Sequence, residues 1–195
     1  MKIIHLATLG STRGTDLQAI IDAIESNELN AKIEIVISNK PDAYILERAK
    51  KHNLLTQFVE NKNKTREEFD GEVIKILEKY PVDLIILIGY MRILSPEFVH
   101  HYQSKIINVH PSLLPAFAGG MDLNVHEEVV KAGVKETGCT VHLVDEGVDT
   151  GKILLQKKCA VEPNDTAETL KAKVQKLEGE ALIEVIKEWK TKLSS

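Results

Sequence analysis

The chain has 195 residues, of which 43% are hydrophobic, and its formal net charge is −4. This length and apolar content suffice for a buried core without disulfides or metal, so we expect a single domain over residues 1–195. The slightly acidic balance gives no general attraction for nucleic acid or for an anionic membrane surface, so any anion has to be bound locally.

The two cysteines, Cys139 and Cys159, are too few for a disulfide framework and fit a reducing compartment, where both would serve as small apolar side chains. The apolar run at the N-terminus breaks at Gly10, which is too early for a signal peptide. No stretch approaches the roughly 20 apolar residues of a membrane span. We therefore expect a soluble, cytoplasmic protein that binds neither nucleic acid nor membrane.

Short β-branched runs alternate with helical patterns through the first half of the chain. Strands are predicted over Ile3 to Leu9, Ile33 to Ile37, Leu54 to Val59, Asp83 to Leu87 and Ile106 to Val109. Helices are predicted around Leu17 to Ile24, from Ala43 to His52 and from Arg66 to Tyr80, the last with Thr65 and Glu68 at the spacing of a capping box. This alternation is typical of βαβ units in a doubly wound, mostly parallel sheet of Rossmann-like α/β fold.

The pattern changes after the proline- and glycine-rich loop that follows Ile106 to Val109. A helix is predicted near Val125 to Ala132, and strands from Cys139 to Val144 and from Ile153 to Ala160 are joined by an acidic turn. We expect an antiparallel strand region here. A final helix is predicted from Thr166 to Trp189 with apolar residues on one face.

The first predicted strand leads into the sequence Gly10-Ser-Thr-Arg-Gly-Thr-Asp-Leu-Gln18, here called the first loop, and then into a helix. Free backbone N–H groups at the start of a helix that follows a central strand form an anion site. We expect Gly14 to permit close backbone approach and Arg13 to add a positive charge. Thr15 is expected to cap the helix, with Gln18 at the reciprocal position. The loop predicts phosphate binding, with an ordinary strand-to-helix turn as the alternative, and it lacks the spacing of a dinucleotide site.

Asn108 and His110 alternate along one strand, so both side chains project from the same face at the carboxyl end of that strand. Asp149, in the acidic turn between two later strands, is expected to approach the same end and to raise the pKa of the imidazole through its charge. An amide donor beside an imidazolium suits stabilisation of the oxyanion of acyl transfer. The alternative is a structural histidine satisfied within the fold.

Five segments carry a resemblance over nearly the whole chain: GSTRGTDLQAII, SNKPDA, GYMRILSPEF, INVHPSLLP and GCTVHLVDEGVDTG. In this order they resemble the phosphoribosylglycinamide formyltransferases, a family of folate-dependent formyltransferases. The resemblance implies transfer of a formyl group from 10-formyltetrahydrofolate, as co-substrate, to the amine of glycinamide ribonucleotide in purine biosynthesis, without a metal. It implies a catalytic set in which Asn108 polarises the formyl oxygen and His110, held by Asp149, stabilises the tetrahedral intermediate. Monomer and homodimer both stay open.

The resemblance also implies binding residues. The folate would contact Asn108, Arg66 and the segment Met91, Arg92, Ile93 and Leu94, whose backbone would grip the pterin ring. The ribonucleotide would contact Arg13, Gly14, Thr15 and Asp16, and Glu178 on the last helix near the ribose. Without the family, Met91 and Ile93 would be interpreted as core, Arg66 as a solvated residue and Glu178 as an exposed helical glutamate.

Two loops depart from the family pattern. The first loop has Asp16 where the family has asparagine, and a carboxylate beside a phosphate costs energy unless it is compensated. Arg13 is the candidate compensator, and capping of its own helix by Asp16 is the alternative. The loop from Ala116 to Val125 has Ala118 in place of the usual proline, and substrate contacts there, including Gly119, are not assigned.

Three other functions remain as alternatives. Methionyl-tRNA formyltransferase shares the catalytic set, but we expect it to carry a further C-terminal domain, whereas this chain ends about six residues after Trp189. A formyltetrahydrofolate hydrolase is expected to carry an N-terminal regulatory domain. A non-catalytic nucleotide-binding module is expected to lack one of Asn108, His110 and Asp149, all of which are present.

Overall fold

Residues 3–120 and 123–189 are described by the computed structural model, and they fall into two units, of which the first ends at Ile107 and the second begins at Asn108. Each unit is described by itself below. The single domain expected from the length stays a prediction.

Strands and helices alternate in the first unit, as predicted. Its elements are β1 (Ile4–Gly10), α1 (Thr15–Glu25), β2 (Ala31–Ser38), α2 (Tyr44–Lys51), β3 (Thr56–Phe58), α3 (Arg66–Leu77), β4 (Leu84–Ile88) and α4 (Pro96–His101). Strand β1 pairs in parallel with β2 and with β4, and β2 pairs in parallel with β3. All five residues of β4 are buried, as expected for a strand that is covered on both faces.

The start of α3 is confirmed at the level of its cap. Thr65 accepts a hydrogen bond from the backbone N–H of Glu68, whose carboxylate accepts from the backbone N–H of Thr65. Helix α4 has no counterpart among the predicted elements, although Ser95 caps it and Pro96 is its first residue. This is a start signal that the sequence contains, and it precedes a helix of only six residues.

The second unit contains antiparallel strands, as predicted. Its elements are β5 (Ile106–His110), which begins at the end of the first unit, α5 (Leu123–Ala132), β6 (Glu136–Leu143), β7 (Ile153–Ala160) and α6 (Ala167–Lys187). Strands β6 and β7 pair antiparallel. The predicted α/β class, mostly parallel with an antiparallel C-terminal region, is confirmed.

Helix α6 packs against β6 and β7 with one apolar face. The buried positions include Leu170, Val174 and Ala181, as the periodicity predicts, whereas Leu177 is half-buried. Over the described residues, no helix combines the length and the apolar character needed to span a bilayer.

Candidate active site

The first loop turns from β1 into α1 through a glycine. Gly14 is the N-cap of α1 and has a left-handed conformation, with φ of 66°. A Cβ at this position would lie 2.4 Å from Cγ1 of Ile45, so conformation and packing both require glycine. The predicted capping by Thr15 is wrong, because Thr15 is already the first helical residue and no side chain caps this helix.

Helix α2 holds the first loop in place. The backbone N–H of Ile45 donates to the carbonyl of Thr12 at 3.1 Å. Arg48 donates from Nε to the carbonyl of Arg13 at 3.2 Å and from Nη1 to Oε1 of Gln18 at 2.7 Å. Arg48 therefore joins the start of the loop to the first turn of α1, a role that the sequence analysis missed.

Three cations surround the ring of Tyr44 at the outer side of this loop. The guanidinium carbons of Arg13 and Arg48 and Nζ of Lys51 lie 5.3–5.5 Å from the ring centroid. A hydrogen bond from Lys51 lowers the pKa of the Tyr44 hydroxyl. Such a group of cations creates a positive potential that attracts anions.

Asp16 lies in the first turn of α1 and is buried, with 8% of its surface exposed. Burial raises the pKa of its carboxyl to about 7. Its Oδ1 has no hydrogen-bond partner within the part of the chain that the structure describes. Neither compensation suggested by the sequence is seen there: Arg13 lies on Tyr44 rather than in an ion pair with Asp16, and Asp16 does not cap its helix.

The segment after β4 is fastened to the first loop. Ser11 Oγ accepts a hydrogen bond from the backbone N–H of Met91 at 2.9 Å and donates to Oδ1 of Asn39 at 2.6 Å. The side chains of Met91 and Ile93 are exposed, at 40% and 51%, whereas Leu94 is buried. Interpretation of Met91 and Ile93 as core is therefore wrong, and both present apolar surface that a flat ligand could cover.

The two arginines predicted to act near the folate have different surroundings. Arg92 places its guanidinium carbon 4.2 Å from the ring centroid of Phe69, and its Nε is buried with no hydrogen-bond partner among the described residues. Arg66, the first residue of α3, is exposed and lies 3.2 Å from a carboxylate oxygen of Glu67. Their part in binding stays a prediction.

Four polar side chains meet in the second unit, and we call Asn108, His110, His142 and Asp149 the polar cluster. Nδ1 of His110 lies 3.2 Å from Oδ2 of Asp149, and Nε2 of His142 lies 3.5 Å from the other carboxylate oxygen. Nδ2 of Asn108 lies 3.3 Å from the same Nε2 of His142. The predicted approach of Asp149 to His110 is therefore present in the structure.

The position of Asp149 is fixed by the backbone. Its Oδ2 accepts a hydrogen bond from the N–H of Gly119 at 2.8 Å. Desolvation acts to raise the pKa of this carboxyl, but hydrogen bonds from His142 and Gly119 and the charge of His110 outweigh it and lower the pKa. Asp149 is therefore an anion at neutral pH.

His110 is buried and both ring nitrogens face oxygen atoms. Its Nε2 lies 3.0 Å from the carbonyl oxygen of Phe117, opposite the contact with Asp149. Burial lowers the pKa of His110, and Asp149 and the Phe117 carbonyl only partly oppose this shift. The charge of Asp149 acts in the predicted direction, but desolvation is the larger effect, so the pKa of His110 lies below its ordinary value. A buried imidazolium with a lowered pKa gives up its proton readily, which suits proton transfer.

His142 is a member of the cluster that the sequence analysis did not single out. Its Nδ1 lies 2.8 Å from the carbonyl oxygen of Leu143, so this nitrogen carries a hydrogen and Nε2 faces Asn108 and Asp149. The signal was available, because Thr140 and His142 alternate along β6 as Asn108 and His110 alternate along β5.

The loop that follows β5 is anchored to β6 and β7. Thr140 Oγ1 donates to the carbonyl of Ser112 at 2.7 Å and accepts from the N–H of Leu114 at 3.0 Å, and Gln156 donates to the carbonyl of Leu114 at 2.9 Å. Farther along, Phe117 has a φ of 58°, and Asp149 has a φ of 56°. This conformation is unfavourable for an aromatic residue such as Phe117, whereas aspartate adopts it more readily. Residues 121 and 122 of the predicted variant loop lie outside the described residues.

Glu178 is buried on α6 with 7% of its surface exposed, so its interpretation as an exposed helical glutamate is wrong. Its contact with a ribose stays a prediction. Within residues 3–120 and 123–189, no three His, Cys, Asp or Glu side chains are grouped so that they could hold a metal ion.

Comparisons with known proteins extend over both units. The formyl transferase family matches residues 1–186. Phosphoribosylglycinamide formyltransferase of Haemophilus influenzae is 44% identical over 93% of this chain and 85% of its own length. The human trifunctional purine biosynthetic protein adenosine-3 is 42% identical over 89% of this chain, which spans 17% of that protein. The crystal structure of glycinamide ribonucleotide transformylase 1 from Symbiobacterium toebii has a TM-score of 0.91 and 37% identity, and the match covers 96% of this chain and 87% of that one.

Proposed function

Because the chain belongs to the formyl transferase family, we propose that it transfers the formyl group of 10-formyltetrahydrofolate to the amine of 5'-phosphoribosylglycinamide in purine biosynthesis. The relatives that match over most of their length are phosphoribosylglycinamide formyltransferases, which supports this acceptor. The observation that carries the proposal is the polar cluster, in which a buried histidine lies between an anionic aspartate and a carbonyl oxygen.

The reaction exchanges one C–N bond for another. The acceptor nitrogen attacks the formyl carbon, the carbonyl oxygen takes the negative charge, and the bond to the folate nitrogen then breaks. The proton lost by the amine is needed on that folate nitrogen. Catalysis therefore requires a donor for the oxyanion and a group that moves one proton.

His110 is suited to the first requirement. Its Nε2–H donates to the Phe117 carbonyl oxygen, so this N–H is directed at an oxygen acceptor. When substrate replaces this carbonyl, the same N–H can stabilise the tetrahedral oxyanion, while Asp149 stabilises the positive charge on the ring. The lowered pKa of His110 makes the proton available to the leaving nitrogen.

Asn108 supplies the second donor. Its side-chain amide lies beside His142 and is half-buried, so it can turn one N–H toward the formyl oxygen. His142 contacts both Asn108 and Asp149, and we assign it the role of keeping these two groups in place.

The first loop would bind the phosphate of the ribonucleotide. The open N–H groups at the start of α1 and the cations around Tyr44 both favour an anion there. Of the predicted ribonucleotide contacts, Gly14 and Thr15 would offer backbone N–H groups, Arg13 a charge and Glu178 a carboxylate for the ribose. On the folate side, Met91 and Ile93 would cover the pterin, with the backbone of Arg92 and Leu94 and the side chain of Arg66 beside it.

The experiment follows folate deformylation by absorbance, using a 10-formyl folate analogue with and without glycinamide ribonucleotide. Wild type is compared with His110→Ala and, as a matched control, with His101→Ala, an exposed histidine of α4. We expect turnover that requires the ribonucleotide, a loss of about 10²- to 10⁴-fold in His110→Ala, and none in the control.

Turnover without the ribonucleotide would identify a hydrolase instead. Turnover with formyl acceptors on tRNA alone would identify the tRNA enzyme, and no turnover with any acceptor would leave a binding module. The remaining assignments, a cytoplasmic location and a monomeric or homodimeric state, are part of this proposal and are checked by cell fractionation and by light scattering.

A further inference from the structure

Asp16 is the feature of the first loop that the proposed function does not explain. Its carboxyl is more than nine-tenths buried, and its Oδ1 has no hydrogen-bond partner among the described residues. A buried carboxylate oxygen without a partner is costly, and one way in which this cost is offset is a bound group that completes the hydrogen bonding.

The same turn offers donors to an anion. Helix α1 begins at Thr15 after a glycine N-cap without a side-chain cap, and the first backbone N–H that bonds within this turn is that of Gln18. Among the described residues, no hydrogen bond within this turn uses the N–H groups before it, which lie at the positive end of the helix dipole. The helix start and the unpartnered carboxyl therefore point to one ligand with both an anionic group and a hydrogen-bonding group.

The ion pairs and cation–ring contacts of the described residues on neighbouring elements join other groups and do not include Asp16. On the loop and on α2, which packs against α1, the cations Arg13, Arg48 and Lys51 surround Tyr44, and Glu47 pairs with Lys50. On α1 itself, the carboxylates of Asp22 and Glu25 bond to Gln18 and His52. On the paired strands β1 and β2, His5 and Lys32 both pair with Glu34.

A phosphate at this helix start would meet the carboxyl at close range. Two negative charges a few ångströms apart in a buried site repel each other strongly. A protonated carboxyl removes this repulsion, because its O–H donates to a phosphate oxygen while the other oxygen can still accept.

Resting on the proposed function, we propose that Asp16 binds the ribonucleotide phosphate as a neutral carboxylic acid, so that the ligand and one proton enter the site together. Burial already raises the pKa of Asp16 to about 7, so above this pH the carboxyl takes up its proton as the ligand binds, and below it the neutral form is already present. The affinity for the ribonucleotide is then tied to pH through one side chain of this chain.

The test is calorimetric titration of glycinamide ribonucleotide, without folate, from pH 6 to pH 9. The proteins are wild type, Asp16→Asn and, as a control, Glu25→Gln, which removes an exposed carboxylate from the same helix. The phosphate-free riboside is titrated in parallel. Asn cannot ionise, so the ratio of the wild-type Kd to the Asp16→Asn Kd cancels the titration of the ligand and of all other groups.

We expect this ratio to rise about tenfold per pH unit above pH 7 for the ribonucleotide, and to stay flat for the riboside. Wild type at pH 8 should also take up more protons per bound ribonucleotide than Asp16→Asn does, and Glu25→Gln should match wild type. A ratio that is constant or falls with pH would overturn the inference and leave the proposed function in place. If neither ligand binds wild type at any pH, the proposed function fails as well.

Discussion

The first loop and the polar cluster solve the problem of buried polar groups in opposite ways. In the polar cluster, each ring nitrogen of His110 and His142 has a partner inside the protein, and Asp149 is shared between them. In the first loop, Asp16 has an oxygen without a partner and the helix start is uncapped. The contrast leads us to propose that the cluster is held in place by the protein's own contacts, whereas the loop is completed by its ligand.

The two regions are therefore expected to serve different steps, the polar cluster the chemical step and the first loop the binding of the ribonucleotide. Groups that are fully hydrogen-bonded keep a fixed geometry, and fixed geometry is what stabilises a transition state. Polar groups that lack a partner within the protein can bond to the ligand, so they contribute to the affinity for it instead. Changes in the cluster should therefore act on kcat, and changes in the loop should act on the KM of the ribonucleotide.

The largest expected effect belongs to the cluster. Asp149→Asn removes the anion beside His110 while keeping the shape of the side chain, so the charged ring loses its support. We expect kcat to fall by about 10²-fold or more, with the KM of the ribonucleotide little changed. Asp145→Asn, in the same acidic turn, is the control. If only KM changed, Asp149 would contribute to substrate binding rather than to the chemical step, and the proposed difference between the cluster and the loop would be wrong.

The next effect concerns stability and the charge of Asp16. The pKa of Asp16 is about 7 in the folded protein and near 3.8 when exposed, so between these values the folded carboxyl keeps a proton that the unfolded chain has lost. The free energy of unfolding therefore falls as pH rises from about 4 to 7. Asp16→Asn does not undergo this loss and should be more stable than wild type at pH 8, by up to about 4 kcal/mol.

The measurement is urea unfolding of both proteins at pH 5, 6, 7 and 8. The stability difference between Asp16→Asn and wild type should grow over this range. A difference that is equal at all four pH values would mean that Asp16 is charged in the folded protein. Asp16 would then be an anion, as Asp149 is in the cluster.

Gly14→Ala tests the shape of the first loop. An added Cβ has to accept a positive φ and lies within 2.4 Å of Ile45. We expect a loss of roughly 1–3 kcal/mol in the free energy of unfolding, measured by urea denaturation. Gly71→Ala is the control, because a Cβ there meets nothing within 4 Å. Equal stability of the two variants would contradict the assigned role of Gly14.

Arg48→Ala is expected to have the smallest effect of these variants, and that effect is confined to binding of the ribonucleotide. It removes the hydrogen bonds to the Arg13 carbonyl and to Gln18 but touches neither the cluster nor the folate segment. We expect the KM of the ribonucleotide to rise about tenfold with kcat and the KM of the folate unchanged, as steady-state kinetics would show. Arg48→Lys should recover part of the loss, since one hydrogen bond can be kept.

Much of this arrangement was predictable from the sequence. Alternating apolar runs predicted the order of strands, Thr65 and Glu68 predicted the start of α3, and the alternation of Asn108 with His110 placed two polar groups on one face. These signals are local, because each depends on residues a few positions apart.

The predictions that failed concern properties that depend on packing and burial in the folded protein. Thr15 has the residue type of a cap, yet Gly14 takes that position because Ile45 leaves no room for a side chain. Asp149 acts to raise the pKa of His110, as expected, but the sequence did not indicate the larger, opposite effect of desolvation. Arg48 was missed because Gln18, to which it donates, lies 30 positions away along the chain, so no local spacing indicates this contact. The alternation of Thr140 with His142 marked a polar face of β6, but the contact of His142 with Asn108, 34 positions away, is not visible in any local pattern.

The central claim is that the polar cluster acts in the chemical step and the first loop in ribonucleotide binding. Single-turnover transfer tests it most directly, measured by rapid quench with excess enzyme over a range of ribonucleotide concentrations. The formyl product is followed for wild type, His110→Ala and Arg48→Ala. We predict that Arg48→Ala reaches the wild-type rate at saturating ribonucleotide, whereas His110→Ala stays at least about 10²-fold slower at every concentration. Recovery of His110→Ala at high ribonucleotide, or a persistent defect in Arg48→Ala, would contradict the account.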